Sequence, residues 1–96
     1  MKLFLVHCGF YDPQVSSGLY EFHVNLLVVA ESFEVARMKA KIEPEFIRKR
    51  MHVDGIQMIE AVKGYRLELS EDLVLEGQSL VTLKHHRDLA PASAGQ

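Results

Sequence analysis

Between Met51 and Leu69 the chain reads MHVDGIQMIEAVKGYRLEL, and two apolar runs, Ile56 to Val62 and Tyr65 to Leu69, are separated only by Lys63-Gly64. Glycine tolerates the positive φ of tight hairpin turns, so the stretch predicts a β-hairpin closed by two residues. That turn sets Val62 against Tyr65, Glu60 against Leu67 and Met58 against Leu69. Side chains alternate along a strand, which places Met58, Val62, Tyr65, Leu67 and Leu69 on the core side. Ala61, Arg66, Ile59 and Glu68 fall on a half-solvated side. Glu60 then lands among the apolar residues, which requires a bulge or a paired carboxylate. Just upstream, His52-Val53-Asp54-Gly55 sets an imidazole and a carboxylate two residues apart before a glycine.

The rest of the chain supplies partners for that hairpin. Lys2 to Cys8 is rich in Leu, Phe and Val and predicts a first strand, long enough to be buried on both faces. His7 shares a side with Leu3 and Leu5, and Cys8 shares the other with Phe4 and Val6. Phe10 to Leu19 holds Asp12-Pro13, Ser16, Ser17 and Gly18 and predicts a loop carrying aromatics. Glu21 to Ala30, EFHVNLLVVA, alternates in polarity before turning continuously apolar, as in a strand that enters the core from an edge. Ser32 to Ile42 has Ser32 as N-cap, Glu34 in the first turn, and Val35, Met38 and Ile42 at helical spacing beside Ala36. Pro44 ends or kinks that helix, after which Glu45 to Arg50 makes a further turn with Phe46 and Ile47 inward.

Beyond Leu69, the runs Leu73-Val74-Leu75 and Leu80 to Leu83 flank Gly77 and predict a smaller hairpin or an added edge strand. The expected fold is α+β, with a β-β-α-β-β core, a mixed or antiparallel sheet and one helix packed on a face. A single domain over 1–86 and a mobile tail over 87–96 follow from the Ala- and Ser-rich end.

Composition narrows the function classes. A chain of 96 residues buries roughly 60 to 65% of its unfolded surface, enough for one core without staples. A formal net charge of -2 argues against a basic nucleic-acid surface. The lone cysteine, Cys8, allows no internal disulfide and fits a reducing cytosol. MKLFLVHCGF is followed at once by Asp12-Pro13 and reads as no signal peptide, and no apolar run reaches the roughly 18 to 20 residues of a membrane span. A soluble, cytoplasmic protein is expected.

The opening LFLVHCGFYDP, the middle HVNLLVVAESFEVARMKAK and the segment HVDGIQMIEAVKGYRLEL together resemble the bacterial family catalogued as domain of unknown function 1543. The likeness spans a single copy of its unit, about residues 3–69. The family's pattern falls here on Gly9, Asp12-Pro13, His23, Ser32, Glu34, His52 and Asp54. Cys8-Gly9-Phe10 stands where paired glycines are more usual. The resemblance implies a fold unit and no activity.

Two functional expectations follow. Imidazole and carboxylate groups are ligands for zinc, nickel, iron or manganese, and serve equally as base and acid. His23, His52 and Asp54, with His7, are therefore the candidate catalytic or metal-ligating residues, which would make the chain a metal-dependent or general acid–base hydrolase. In the plainer alternative, His52 and Asp54 stabilise the turn into the hairpin, with Asp54 accepting backbone amides next to Gly55. Phe10, Tyr11, Tyr20 and Phe22 are the interface candidates, since aromatics are enriched in binding cores. An open sheet has edges with unpaired amides, so a binding or self-associating module without catalysis, in the form of a homodimer or with another protein as partner, is the leading expectation. The sequence requires no cofactor. Arg48-Lys49-Arg50 and Lys84-His85-His86-Arg87 read as solvated charge.

Overall fold

The computed structural model describes residues 1–91. Strand β1 (Lys2–Tyr11) lies between β2 (Glu21–Ala30) and β3 (His52–Ile59), antiparallel to both. Helix α1 (Phe33–Lys41) and the short α2 (Pro44–Arg48) connect β2 to β3. A small hairpin, β4 (Ala61–Val62) with β5 (Tyr65–Arg66), follows. This is an α+β fold with the helices on one face of a three-stranded sheet. Among the described residues, no helix is long and apolar enough to cross a membrane.

The core sits between that face and the helices. Phe4, Val6 and Cys8 of β1, Val28 and Ala30 of β2, Ala36 and Ala40 of α1, Phe46 of α2 and Met51 are buried together. Ser32 caps α1 by accepting from Val35 N at 3.2 Å. Such a cap satisfies one of the amides that a helix start leaves free. Small Ala36 and Ala40 let the helix backbone come close to the sheet, while Met38 and Ile42 point outward and are exposed. The inward stripe is therefore one step off the expected one, because the sheet selects small residues where the backbones approach.

Pro44 opens α2, where its missing N–H costs nothing. Arg50, at φ 50°, closes α2, with Met51 N bonded to Phe46 O and Arg50 N to Ile47 O. This left-handed terminus normally takes glycine. Phe46 turns inward as expected, but Ile47 stays exposed.

Three expectations are corrected. Phe10 and Tyr11 belong to β1, not to a loop, because pairing with β2 runs unbroken to Tyr11↔Glu21. β1 is covered on one face only: Leu3 and Leu5 are half-buried and His7 is exposed on the other. The hairpin has the expected register, Val62↔Tyr65 and Ala61↔Arg66, with Lys63 and Gly64 both at positive φ. It nonetheless stops at the bond from Leu67 N to Glu60 O. Met58 pairs with Phe4 instead of Leu69, and Tyr65 is 80% exposed, so the supposed core side faces solvent. Glu60 is paired with Lys2 at 3.2 Å.

From Leu67 to Pro91 the chain forms no strand. Turns bonded from Leu75 N to Asp72 O and from Gln78 N to Leu75 O take the place of the expected second hairpin. A 3-10 turn spans His86–Asp88. Residues 92–96 of the expected tail lie outside the described residues.

Candidate functional site

β1 and β2 present their other side chains on the face that carries no helix. There Glu21, His23 and Asn25 of β2 flank His7 and Gly9 of β1. On the far side, β3 pairs Gly9 with His52 and Cys8 with Val53, but His7 with Gly55. Asp54 is thus an extra residue in a β-bulge. Its effect is a change of phase. In a regular strand His52, Asp54, Ile56 and Met58 would share one face. With one residue inserted, His52 and Asp54 remain on the open face while Ile56, opposite Val6, packs into the core.

The result is a cluster of imidazoles and carboxylates drawn from all three strands. His52 Nε2 lies 2.8 Å from Glu21 Oε1 and 3.1 Å from Asp54 Oδ1. His23 Nδ1 lies 3.2 Å from Asp54 Oδ2, and its Nε2 lies 3.8 Å from Glu21 Oε1. The His7 ring stacks on that of His23 with centroids 4.9 Å apart, and His7 Nδ1 donates to Asn25 Oδ1 at 2.8 Å. The side chains of Glu21, His23, His52 and Asp54 are each about a third to a half exposed, at 30%, 43%, 47% and 34%. Water reaches every one of them.

Gly9 is the floor of this cluster. A β-carbon there would collide with Glu21 Oε1, His52 Nε2 and Asp54 Oδ2, the last two at 2.6 and 2.9 Å. The polar atoms converge over a glycine because a side chain would occupy the same space. Cys8, one residue away, points to the opposite face and is fully buried. Burial pushes its thiol above the ordinary value of 9.0, and the negative charge of Asp54 adds to the shift. A neutral core thiol is neither a nucleophile nor a metal ligand.

The structure therefore brings together His7, His23, His52 and Asp54. Asp54 stands at the bulge of β3, within ion-pair distance of His23 and His52. Sequence reasoning missed Glu21. The signal was parity: Glu21 and His23, two apart on one strand, must share a face, as His52 and Asp54 do. Of the aromatic candidates, Phe10 and Phe22 stack at 5.7 Å, while Tyr11 and Tyr20 are exposed, Tyr11 donating to Glu21 Oε2 at 3.4 Å.

A separate cavity of about 620 Å³ is lined by Phe10, Tyr11, Asp12, Pro13, Gln14 and Arg48 to Arg50. Lys49 Nζ sits 4.7 Å from the Phe10 ring centroid and pairs with Glu45 at 2.9 Å. That pairing holds the Glu45 carboxyl below its ordinary value. A shallower groove of about 480 Å³ runs between β2 and α1, past Leu27, Val29, Lys39 and Ile42.

No family model, curated protein or solved structure matches the chain.

Proposed function

We propose that this chain is a cytoplasmic binding module that self-associates as a homodimer, the C-terminal arm of each copy covering the body of the other. One observation carries the reading. A folded monomer of 10.9 kDa exposes about 5,600 Å², whereas this chain exposes 8397 Å². The surplus of about 2,800 Å² exceeds the roughly 800 Å² that each partner gives up in a stable complex. The radius of gyration, 17.0 Å, likewise exceeds the about 12.5 Å of a compact domain of this length.

The arm from Leu67 onward contributes to the surplus, with Val74 87% and Val81 82% exposed and Leu73, Leu80 and Leu83 close behind. Apolar side chains in that number gain about 1.5 to 3 kcal/mol each on burial, which favours a partner. A second copy offers a receiving surface. β2 is an edge strand, and the groove beside it carries the exposed Leu27, Val29 and Ile42. The arm's Glu68, Glu71, Asp72 and Glu76 complement Arg37, Lys39 and Lys41 of α1. A lone buried thiol suits the reducing cytoplasm.

Hydrolysis by the imidazole–carboxylate cluster is the second reading, and the shared contacts of His52 favour it. Binding without catalysis accords better with groups that water reaches on an open sheet. Light scattering on the full chain tests the first reading. A mass of about twice 10.9 kDa is expected over the micromolar range. The double variant Val74→Asp, Val81→Asp should run as a single chain with unchanged circular dichroism. A full chain that scatters as a monomer at every concentration would overturn the proposal.

A further inference from the structure

We propose that Glu21, His52 and Asp54 hold one divalent transition-metal ion above Gly9, with His23 positioning Asp54 through its second oxygen. The inference goes beyond self-association and does not depend on it, since all the ligands come from one chain.

The argument starts from spacing. One ligand atom from each of Glu21, His52 and Asp54 can be chosen so that all lie within 4.8 Å of one another. Ligands bound to zinc at about 2.0 to 2.2 Å in tetrahedral geometry are separated by about 3.3 Å. His52 Nε2 lies between the carboxylates, 2.8 Å from Glu21 and 3.1 Å from Asp54, just below that edge. A modest outward movement of three partly exposed side chains brings them to it.

The second observation is independent of the ligand types. Gly9 lies near the end of β1, the middle strand of the sheet, and no positive φ requires a glycine there. What its missing side chain does is leave open the volume into which Glu21 Oε1, His52 Nε2 and the Oδ2 edge of the Asp54 carboxylate project. A third observation is the bulge, which spends a ladder position to turn the Asp54 carboxylate onto this face.

The surroundings have the form of an outer ligand shell. His23 Nδ1 lies 3.2 Å from Asp54 Oδ2, within ion-pair range and on the other carboxylate oxygen from the one nearest His52. Outer partners of this kind orient a ligand and are worth about 10- to 100-fold in affinity. The second possible trio, His7, His23 and Asp54, lacks the opening over Gly9, and its His7 is already engaged with Asn25. One imidazole and two carboxylates, with no thiolate, select a borderline to hard ion such as zinc, manganese or iron(II), and leave coordination positions for water. The chemical class is thus a hydrated divalent cation.

The test is a titration of the full chain, stripped of metal, with zinc chloride and then with manganese chloride, followed by side-chain NMR of the histidines. Saturable shifts of His52 and His23 at one zinc per chain are expected, with manganese broadening the same signals. Glu21→Gln, Asp54→Asn and His52→Gln should each abolish saturation. Gly9→Ala should do the same without altering any charge or ligand, and the amide spectrum reports that the sheet persists. His23→Gln should weaken zinc binding about 10- to 100-fold, and His7→Gln should leave it unchanged. The isosteric Glu21→Gln, on an exposed side chain, keeps the test valid if Gly9→Ala does not fold. The proposal fails if only His85 and His86 respond, if Glu21→Gln binds zinc like the parent, or if His7→Gln abolishes binding.

Discussion

The body formed by β1, β2, α1 and β3 and the arm from Leu67 to Pro91 are built from the same kinds of residue and reach opposite ends. In the body, Phe4, Val6 and Cys8 are fully buried. In the arm, Leu73, Val74, Leu80 and Val81 keep most of their surface in water. The difference is a matter of available surfaces. Each apolar position on the helix side of β1 has a cross-strand neighbour on β2 or β3 and a helix above it. The arm leaves the sheet after the bond from Leu67 N to Glu60 O, and among the described residues its later backbone bonds are turns within the arm itself. An apolar pattern thus reports that a residue is to be covered and says nothing of which chain covers it.

The contrast can be broken most forcefully at Phe4, which is fully buried and meets Phe33 edge-on at 5.2 Å. Phe4→Ala should cost about 3 to 5 kcal/mol in denaturant unfolding. Leu73→Ala, which removes comparable chemistry from the arm, should cost nothing within a single chain and should weaken only assembly. If both substitutions destabilise a dilute sample alike, the division into body and arm is wrong.

A smaller effect is expected at the start of α1. Ser32→Ala removes the acceptor for Val35 N and should cost about 1 kcal/mol, seen as a lower melting temperature. Smaller still is the pH response of the buried thiol. The folded Cys8 titrates above its ordinary value of 9.0, so the native chain keeps a proton that the unfolded one releases. That contribution is whole below pH 9.0 and is lost as the pH rises through the folded value. Cys8→Ala should flatten the alkaline limb of the stability curve, and iodoacetamide should label the parent thiol only on unfolding.

Much of the body was legible in the sequence because its elements are specified locally. Glu21 to Ala30 forms its strand to the residue, Ser32 caps the helix that follows, and Lys63-Gly64 makes the turn. Where the reading failed, a distant surface decided. Met38 and Ile42 matched a helical stripe as well as Ala36 and Ala40 did, and only the closeness of the sheet favoured the small pair. The candidate site was legible as residue types, with His7, His23, His52 and Asp54 all singled out. Its assembly was not, because the strand order β2-β1-β3 brings Glu21 beside His52, 31 positions away in sequence. Gly9 gave no sign of its role, since its importance lies in the atoms around it.

The bulge in β3 bears on which residues the chain can lose. Val53 already pairs with Cys8 and Gly55 with His7, so Asp54 is a residue that the sheet passes over. Its deletion would join two segments that are each in register already, giving a continuous strand with Ile56 still opposite Val6. A one-residue deletion inside a strand ordinarily turns every later side chain to the wrong face. Here the same excision should leave the fold intact, as an unchanged pattern of protected amides would report, and remove only the carboxylate. Fold and site can therefore be separated at a single codon.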